Sequence, residues 1–183
     1  MAACEFDWIE RNGAAPGTQT PSGTPPIASL ARADFLSVDE SSHSDADNYK
    51  AHPIIIPTSG TAYSFEKWLA AYWTFAGSNE VGNVKFWKSS GTLSHGDLII
   101  KYGIVNKTSP GYDDPVNTVS TNAVTNIPTA EPGSPNVTLD GGNASITASA
   151  YSDYIVLQLH VPSTVNVPGD IGTQELTMQY DES

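Results

Sequence analysis

Apolar and polar residues alternate with a period of two along several short stretches of this chain, as they do in strands that bury one face. From Glu5 to Glu10, Phe6 and Trp8 alternate with acidic residues, and Asn12-Gly13 ends the run. In Gly82 to Lys88, Val84 and Phe86 oppose Lys85 and Trp87, and Leu98 to Val105 forms another strand pattern with Gly103 as a candidate bulge. The clearest strand is Tyr154 to Val161, where Ile155, Leu157, Leu159 and Val161 share a face and Pro162 stops the run. Thr173 to Tyr180 places Leu176, Met178 and Tyr180 on one side. Fainter patterns predict a strand over Leu30 to Val38 and a short edge strand in Ala51 to Pro57, where neither Pro53 nor Pro57 can donate to a ladder. They also place strands around Val116 to Val124 and Val137 to Leu139.

One stretch breaks the period. Phe65, Trp68, Leu69 and Tyr72 recur at spacings of three and four, Ser64 can cap a first turn, and Gly77 can stop the last. This spacing predicts one short α-helix at about residues 65–75. Repeated short strands with turn residues between them otherwise predict a mainly β fold, a β-sandwich or jelly-roll-like domain with long loops. At 183 residues, the chain is expected to form one domain over 1–183. Two stretches stand out from it, a Pro/Gly/Thr-rich arm at 14–26 and a long loop region at 108–143. Both are poor in apolar residues, so contact with neighbouring subunits is expected to order them.

Charge narrows the partners. Eight Lys and Arg against twenty Asp and Glu leave a net charge of -12, which opposes approach to nucleic-acid phosphates and anionic lipid surfaces. No segment reaches the roughly 18 apolar residues of a membrane span. Met1 to Asp7 carries carboxylates where a secretory signal needs basic and then apolar residues, so that route is not expected. Cys4 is the only cysteine, so no intrachain disulfide forms.

Candidate chemistry is sparse. Cys4 could pair with His43, His52, His95 or His160 only as an isolated thiol without a surrounding signature. The acidic run from Asp39 to Asn48 supplies several oxygens, as calcium prefers, but lacks the central Gly and terminal bidentate Glu of an EF-hand loop. It reads as a solvated loop, and Asp140-Gly141-Gly142-Asn143 reads as a turn. His95, between Ser94 and Gly96-Asp97, sits in loop sequence. Asn106, Asn136 and Asn143 match the glycosylation pattern by composition alone. We therefore expect no enzymatic activity, no cofactor and no metal.

Aromatic residues are the remaining signal. Trp68 and Trp8 are expected in the core, whereas Trp73 lies off the helical stripe and Trp87 shares a face with Lys85. Trp73 and Trp87, with Pro16, Pro21, Pro25 and Pro26 of the arm, are therefore the interface candidates.

Tyr63-Ser64-Phe65-Glu66-Lys67-Trp68-Leu69 and Tyr151-Ser152-Asp153-Tyr154-Ile155-Val156-Leu157-Gln158-Leu159, set in this diffuse β-rich pattern, resemble virion structural proteins of tailed bacteriophages, of the head-decoration (cement), neck or tail type. The resemblance implies a subunit, assembled in the host cytoplasm, that clamps or extends a shell or tube. It also implies capsid or tail proteins of the same particle as partners and a homo-oligomer, while the acidic charge argues against nucleic acid and membrane. An alternative is a carbohydrate-binding module or receptor-binding adhesin stacking sugars on Trp73 or Trp87. A jelly-roll hydrolase with convergent carboxylates is a third class.

Overall fold

The computed structural model describes residues 4–23, 29–41, 48–75 and 80–183. Its strands, in chain order, are β1 (Glu5–Asn12), β2 (Thr18–Thr20), β3 (Thr61–Tyr63), β4 (Lys67–Thr74), β5 (Val81–Ser90) and β6 (Ile99–Val105). They continue with β7 (Thr125–Asn126), β8 (Ser145–Ile146), β9 (Ala150–Tyr151), β10 (Tyr154–Pro162) and β11 (Glu175–Glu182). Among the described residues the only α-helix is a single turn, α1 (Asn48–Ala51). The protein is mainly β.

Every strand pairing among the described residues is antiparallel. The larger sheet has eight strands in the order β2-β1-β4-β10-β6-β7, with β3 also pairing β10 and β9 pairing β4. The smaller sheet has three, β11-β5-β8. Aromatic contacts bring the sheets face to face: Trp8 meets Phe86 at 6.1 Å between ring centroids, and Tyr180 meets Phe6 and Trp73 at 5.7 Å each.

The expected helix at 65–75 is a strand instead. β4 lies between β1 and β10, with Glu10 opposite Leu69 and Ile155 also opposite Leu69. Successive side chains point to opposite faces, and both faces of β4 are covered. Leu69, Ala71 and Trp73 join the core between the sheets, while Trp68 and Ala70 pack with Ile9, Tyr154 and Val156 on the other side. A central strand buried on both faces is apolar throughout, so its sequence carries no period of two and chance spacings of three and four survive. Ser64 caps nothing. Its N–H donates to the Leu159 carbonyl at 3.0 Å, and its Oγ accepts the Leu159 N–H at 3.0 Å.

The strand expected over Leu30 to Val38 and the edge strand expected in Ala51 to Pro57 are irregular instead. They dock by single contacts: Leu30 N–H donates to the Trp8 carbonyl at 2.8 Å, and Ser37 N–H to the His52 carbonyl at 3.0 Å. No strand forms over Val116 to Val124, β7 lying just beyond it, and the strand expected over Val137 to Leu139 reduces to bridges from Leu139 to Asn143 and Ser152. Gly103 is no bulge, since it sits in register opposite Val156. Its lack of a side chain serves close approach, because a Cβ there would lie 2.0 Å from the Asn122 carbonyl oxygen.

Candidate interaction site

The core face of the larger sheet is broader than the three strands laid over it. Leu69, Leu157, Leu159, Val161 and Ile100 project from it in period-two rows, all nearly inaccessible. On one side a connection spanning 127–137 stitches the sheets together. Ile127 N–H donates to the Ile100 carbonyl of β6 at 3.0 Å, Lys88 N–H of β5 donates to the Pro128 carbonyl at 2.9 Å, and the Val84 carbonyl accepts from Asn136 and Val137. On the other side the sheets meet near one end, where the Cys4 N–H donates to the Glu182 carboxylate at 3.0 Å and Tyr180 O–H donates to the Cys4 carbonyl at 3.3 Å.

Toward the opposite end of β11 an open-sided recess runs along the margin of the sheets. The row just described lies beneath it, sealed from water at 1–4% exposure. The walls of the recess are the irregular stretches around Ala31–Phe35 and Pro53–Ile56, together with Val165 to Leu176. Two lining residues, Ile55 and Val167, are 74% and 68% exposed, so large aliphatic groups stand in water at this site. The lining charges are mostly acidic: Asp34, Asp170 and Glu175 face a single Arg32, which is paired with Asp34 at 2.7 Å. Gln174 Oε1 is buried without a hydrogen-bond partner, while its Nε2 donates to the Gly172 carbonyl at 3.0 Å. This combination is legible in the sequence only as the unpunctuated Ile54-Ile55-Ile56 run.

The interface candidates divide. Trp73 is fully buried, in contact with Phe6 and Tyr180, because a strand places it with Leu69 and Ala71 rather than off a helical stripe. It is thereby removed from the exposed set. Trp87 is half-buried in β5, opposite Thr177. Pro16 is exposed and its carbonyl accepts from Arg11 at 3.1 Å, while Pro21 is half-buried and its carbonyl accepts from Gln19 at 3.1 Å. Pro25 and Pro26 lie outside the described residues.

Neither expected arm stands away from the body where it is described. β2 folds back onto β1, and Ala15 N–H donates to Asp114 Oδ1 at 2.6 Å. The 108–143 region covers the outer face of the larger sheet, with Tyr112 and Ala123 against Trp68 and Tyr154. Tyr112 O–H donates to the Gly13 carbonyl at 2.6 Å, and burial, with Asp39 and Asp114 nearby, pushes its ionisation well above the ordinary tyrosine value.

Polar groups hold that cover down. Gln158, buried in β10, donates through Nε2 to the carbonyls of Ser64 and Thr118 at 3.0 and 2.8 Å, and its Oε1 accepts the Ser120 N–H at 3.1 Å. The Ser120 hydroxyl donates to the buried Glu66 carboxylate and accepts the amides of Asn122 and Ala123, while Glu66 Oε2 takes the Trp68 indole N–H at 3.0 Å. His160 Nε2 lies 3.2 Å from Gln158 Oε1, and burial followed by the Lys101 charge lowers its pKa. In β4, Lys67 pairs with Glu10 at 2.9 Å, both buried, and donates to the Glu40 carbonyl. Asp39 accepts the Gly13 N–H at 2.8 Å, and burial raises its pKa although that amide and Lys67 oppose the shift. Residues 42–47 of the acidic run, His43 included, lie outside the described residues.

The Asp140-Gly141-Gly142-Asn143 turn wraps a carboxylate that sequence reasoning overlooked. Asp153, fully buried, accepts the N–H groups of Lys107, Gly141 and Gly142 and the Thr138 hydroxyl. Two of the Asn-x-Ser/Thr asparagines also serve the fold. Asn106 Oδ1 accepts from Thr108 and Ser109, and Asn136 bonds both backbone groups of Phe86.

No helix among the described residues is long and apolar enough to cross a membrane. Comparison with protein-family models, curated proteins and solved structures finds no match.

Proposed function

We propose that this chain is a structural virion component that binds and stabilises neighbouring capsid or tail subunits, assembled in the host cytoplasm. The observation that carries this reading is the exposure of two large aliphatic side chains, Ile55 and Val167, on irregular stretches that line one recess at the margin of the sheets. Large aliphatic side chains left in water favour a contact site, because a partner that covers them gains the hydrophobic free energy the isolated chain forgoes. The net charge of -12 favours solubility before assembly and a protein partner over nucleic acid. The resemblance to head-decoration, neck and tail proteins supplies the class of particle. The carbohydrate-binding alternative loses one of its two stacking platforms with the burial of Trp73.

The test is composition of the particle. Virions assembled with the gene intact should contain the chain at a fixed ratio to the major capsid or tail subunit, and virions lacking it should lose integrity under heat or low salt. A chain absent from purified particles, or one whose deletion leaves them unchanged in number, shape and resistance, refutes the reading.

A further inference from the structure

We infer that the outer edge of β11 is a docking edge, to which an extended segment of a neighbouring subunit, carrying Lys or Arg, adds as a fourth strand of the smaller sheet; this deepens the structural reading above and rests on it. Among the described residues β11 is the one long sheet edge left bare. The other sheet ends are β2, β7 and β8, of two or three residues each, too short to template a partner. β5 shows how this fold closes a long edge. On its side away from β11, the Phe86 N–H donates to Asn136 Oδ1 at 2.8 Å, Asn136 Nδ2 donates to the Phe86 carbonyl at 2.9 Å, and the Lys88 N–H donates to the Pro128 carbonyl. β11 runs eight residues without a proline and pairs with β5 alone.

The register shows which backbone groups face outward. Phe86 and Lys88 turn theirs toward the 128–136 connection and so away from β11, which makes Met178, opposite Phe86, and Leu176, opposite Lys88, members of non-hydrogen-bonded pairs. The N–H and C=O groups of Leu176 and Met178 therefore point out from the sheet, and among the described residues they meet no partner. Side chains agree. Leu176, Met178 and Tyr180 pack against the core yet stay partly exposed, whereas Val84 and Phe86 of β5 are 1% and 0% exposed. A strand laid along β11 would cover these side chains and bond the outward backbone groups together. Leu176 also lines the recess with Ile55 and Val167, so both contacts fall on one margin.

Charge selects the occupant. Glu175 and Asp181 are exposed and met by neutral donors, the Ser90 hydroxyl at 2.7 Å and the Asn83 amide at 2.8 Å, and β11 carries no Lys or Arg. A second copy of this chain would bring another charge of -12, and two β11 strands paired antiparallel about Met178 would set Glu175 against Asp181. A partner strand with Lys or Arg toward its ends turns both repulsions into attractions.

Backbone amide exchange and a proline substitution test the edge. In the full free chain, the Leu176 and Met178 amides should exchange at least about tenfold faster than those of Thr177 and Gln179, which point to β5. The peptide Lys-Val-Thr-Val-Thr-Val-Lys should slow exchange at 176 and 178, and its Glu-flanked counterpart should bind at least about tenfold more weakly. Met178→Pro removes an outward N–H and no bond to β5. It should weaken peptide binding at least about tenfold relative to Met178→Ala, which loses the same packing and keeps the N–H. Thermal melting shows whether both variants fold; if Met178→Pro does not, the exchange pattern of the parent decides. Equal protection at all four amides in the free chain, no peptide effect at 176 and 178, or undiminished binding by folded Met178→Pro would overturn the inference. Self-association of the free chain that protects 176 and 178 would make the occupant a second copy and overturn it too. Particle incorporation separates the two proposals. If Met178→Pro enters particles as well as Met178→Ala, the edge is wrong and the structural role stands; if the parent itself is absent, the structural role fails, and exchange and peptide binding still judge the edge.

Discussion

Replacing Asp153 by Asn tests whether one buried carboxylate organises the 138–142 turn. Oδ1 accepts the amides of Lys107 and Gly141 at 3.1 and 2.9 Å, and Oδ2 accepts the Gly142 amide at 2.9 Å together with the Thr138 hydroxyl. An Asn of the same shape must turn its amide nitrogen toward one of these sets. Its better choice faces Gly142 and Thr138, since a hydroxyl can rotate to accept while a backbone N–H cannot. That choice still orphans the Gly142 donor, at about 1–3 kcal/mol, and turns two charge-assisted bonds into neutral ones, each weaker by about 1 kcal/mol. Relief from burying a charge offsets part of this, so the expected loss is about 2–4 kcal/mol. For a chain of this size it lowers the melting temperature by about 4–16 °C. Urea denaturation with a fitted slope gives the energy, and amide exchange at Gly141 and Gly142 locates it. Asp140→Asn is the control: its pair with Lys107 at 2.8 Å is exposed and should contribute less than about 1 kcal/mol. A loss below about 0.5 kcal/mol for Asp153→Asn, or equal losses for both variants, would show that the carboxylate does not hold the turn.

The strand assignment predicts that Trp73→Ala costs about 3–5 kcal/mol, as for a fully buried aromatic, and that half-buried Trp87→Ala costs clearly less; equal costs by denaturant titration would contradict the two environments. Gly103→Ala should destabilise by at least about 1–3 kcal/mol and speed amide exchange at Asn122 and Ala123, because the new Cβ collides with the Asn122 carbonyl; a neutral result would refute that close approach. His160 should make stability depend on pH. Its folded pKa is depressed by burial and Lys101, so as pH falls below the ordinary value of about 6.5 the unfolded chain takes up a proton that the folded chain resists, and stability drops until the lower folded pKa is passed. His160→Gln should flatten that part of the curve, and an unchanged slope between about pH 6.5 and 5 would exclude the histidine as its source.

The sequence by itself determined the class of fold and the places of the strands that bury one face. β5 and β11 were legible because one face meets the core and the other is largely open, so alternation is written into Val84, Phe86, Leu176 and Met178, and β1 because Phe6 and Trp8 alternate with acidic residues although Ile9 is covered on its other face. Tyr154 to Pro162 was legible although both its faces are buried, because Ile155, Leu157, Leu159 and Val161 keep a period of two up to a proline stop. What sits in the middle of the larger sheet was not. Lys67 to Thr74 is covered on both faces, and a segment enclosed in this way needs only to be apolar, so local spacing cannot separate strand from helix. That misreading also moved Trp73 to the surface. The stretches around Leu30 to Leu36 and Pro53 to Ile56 have strand composition but find no ladder, since pairing depends on a neighbour of matching length rather than on propensity. The recess beside the sheets belongs to tertiary structure, since its lining comes from segments more than a hundred residues apart, of which only the Ile54-Ile55-Ile56 run stands out in the sequence.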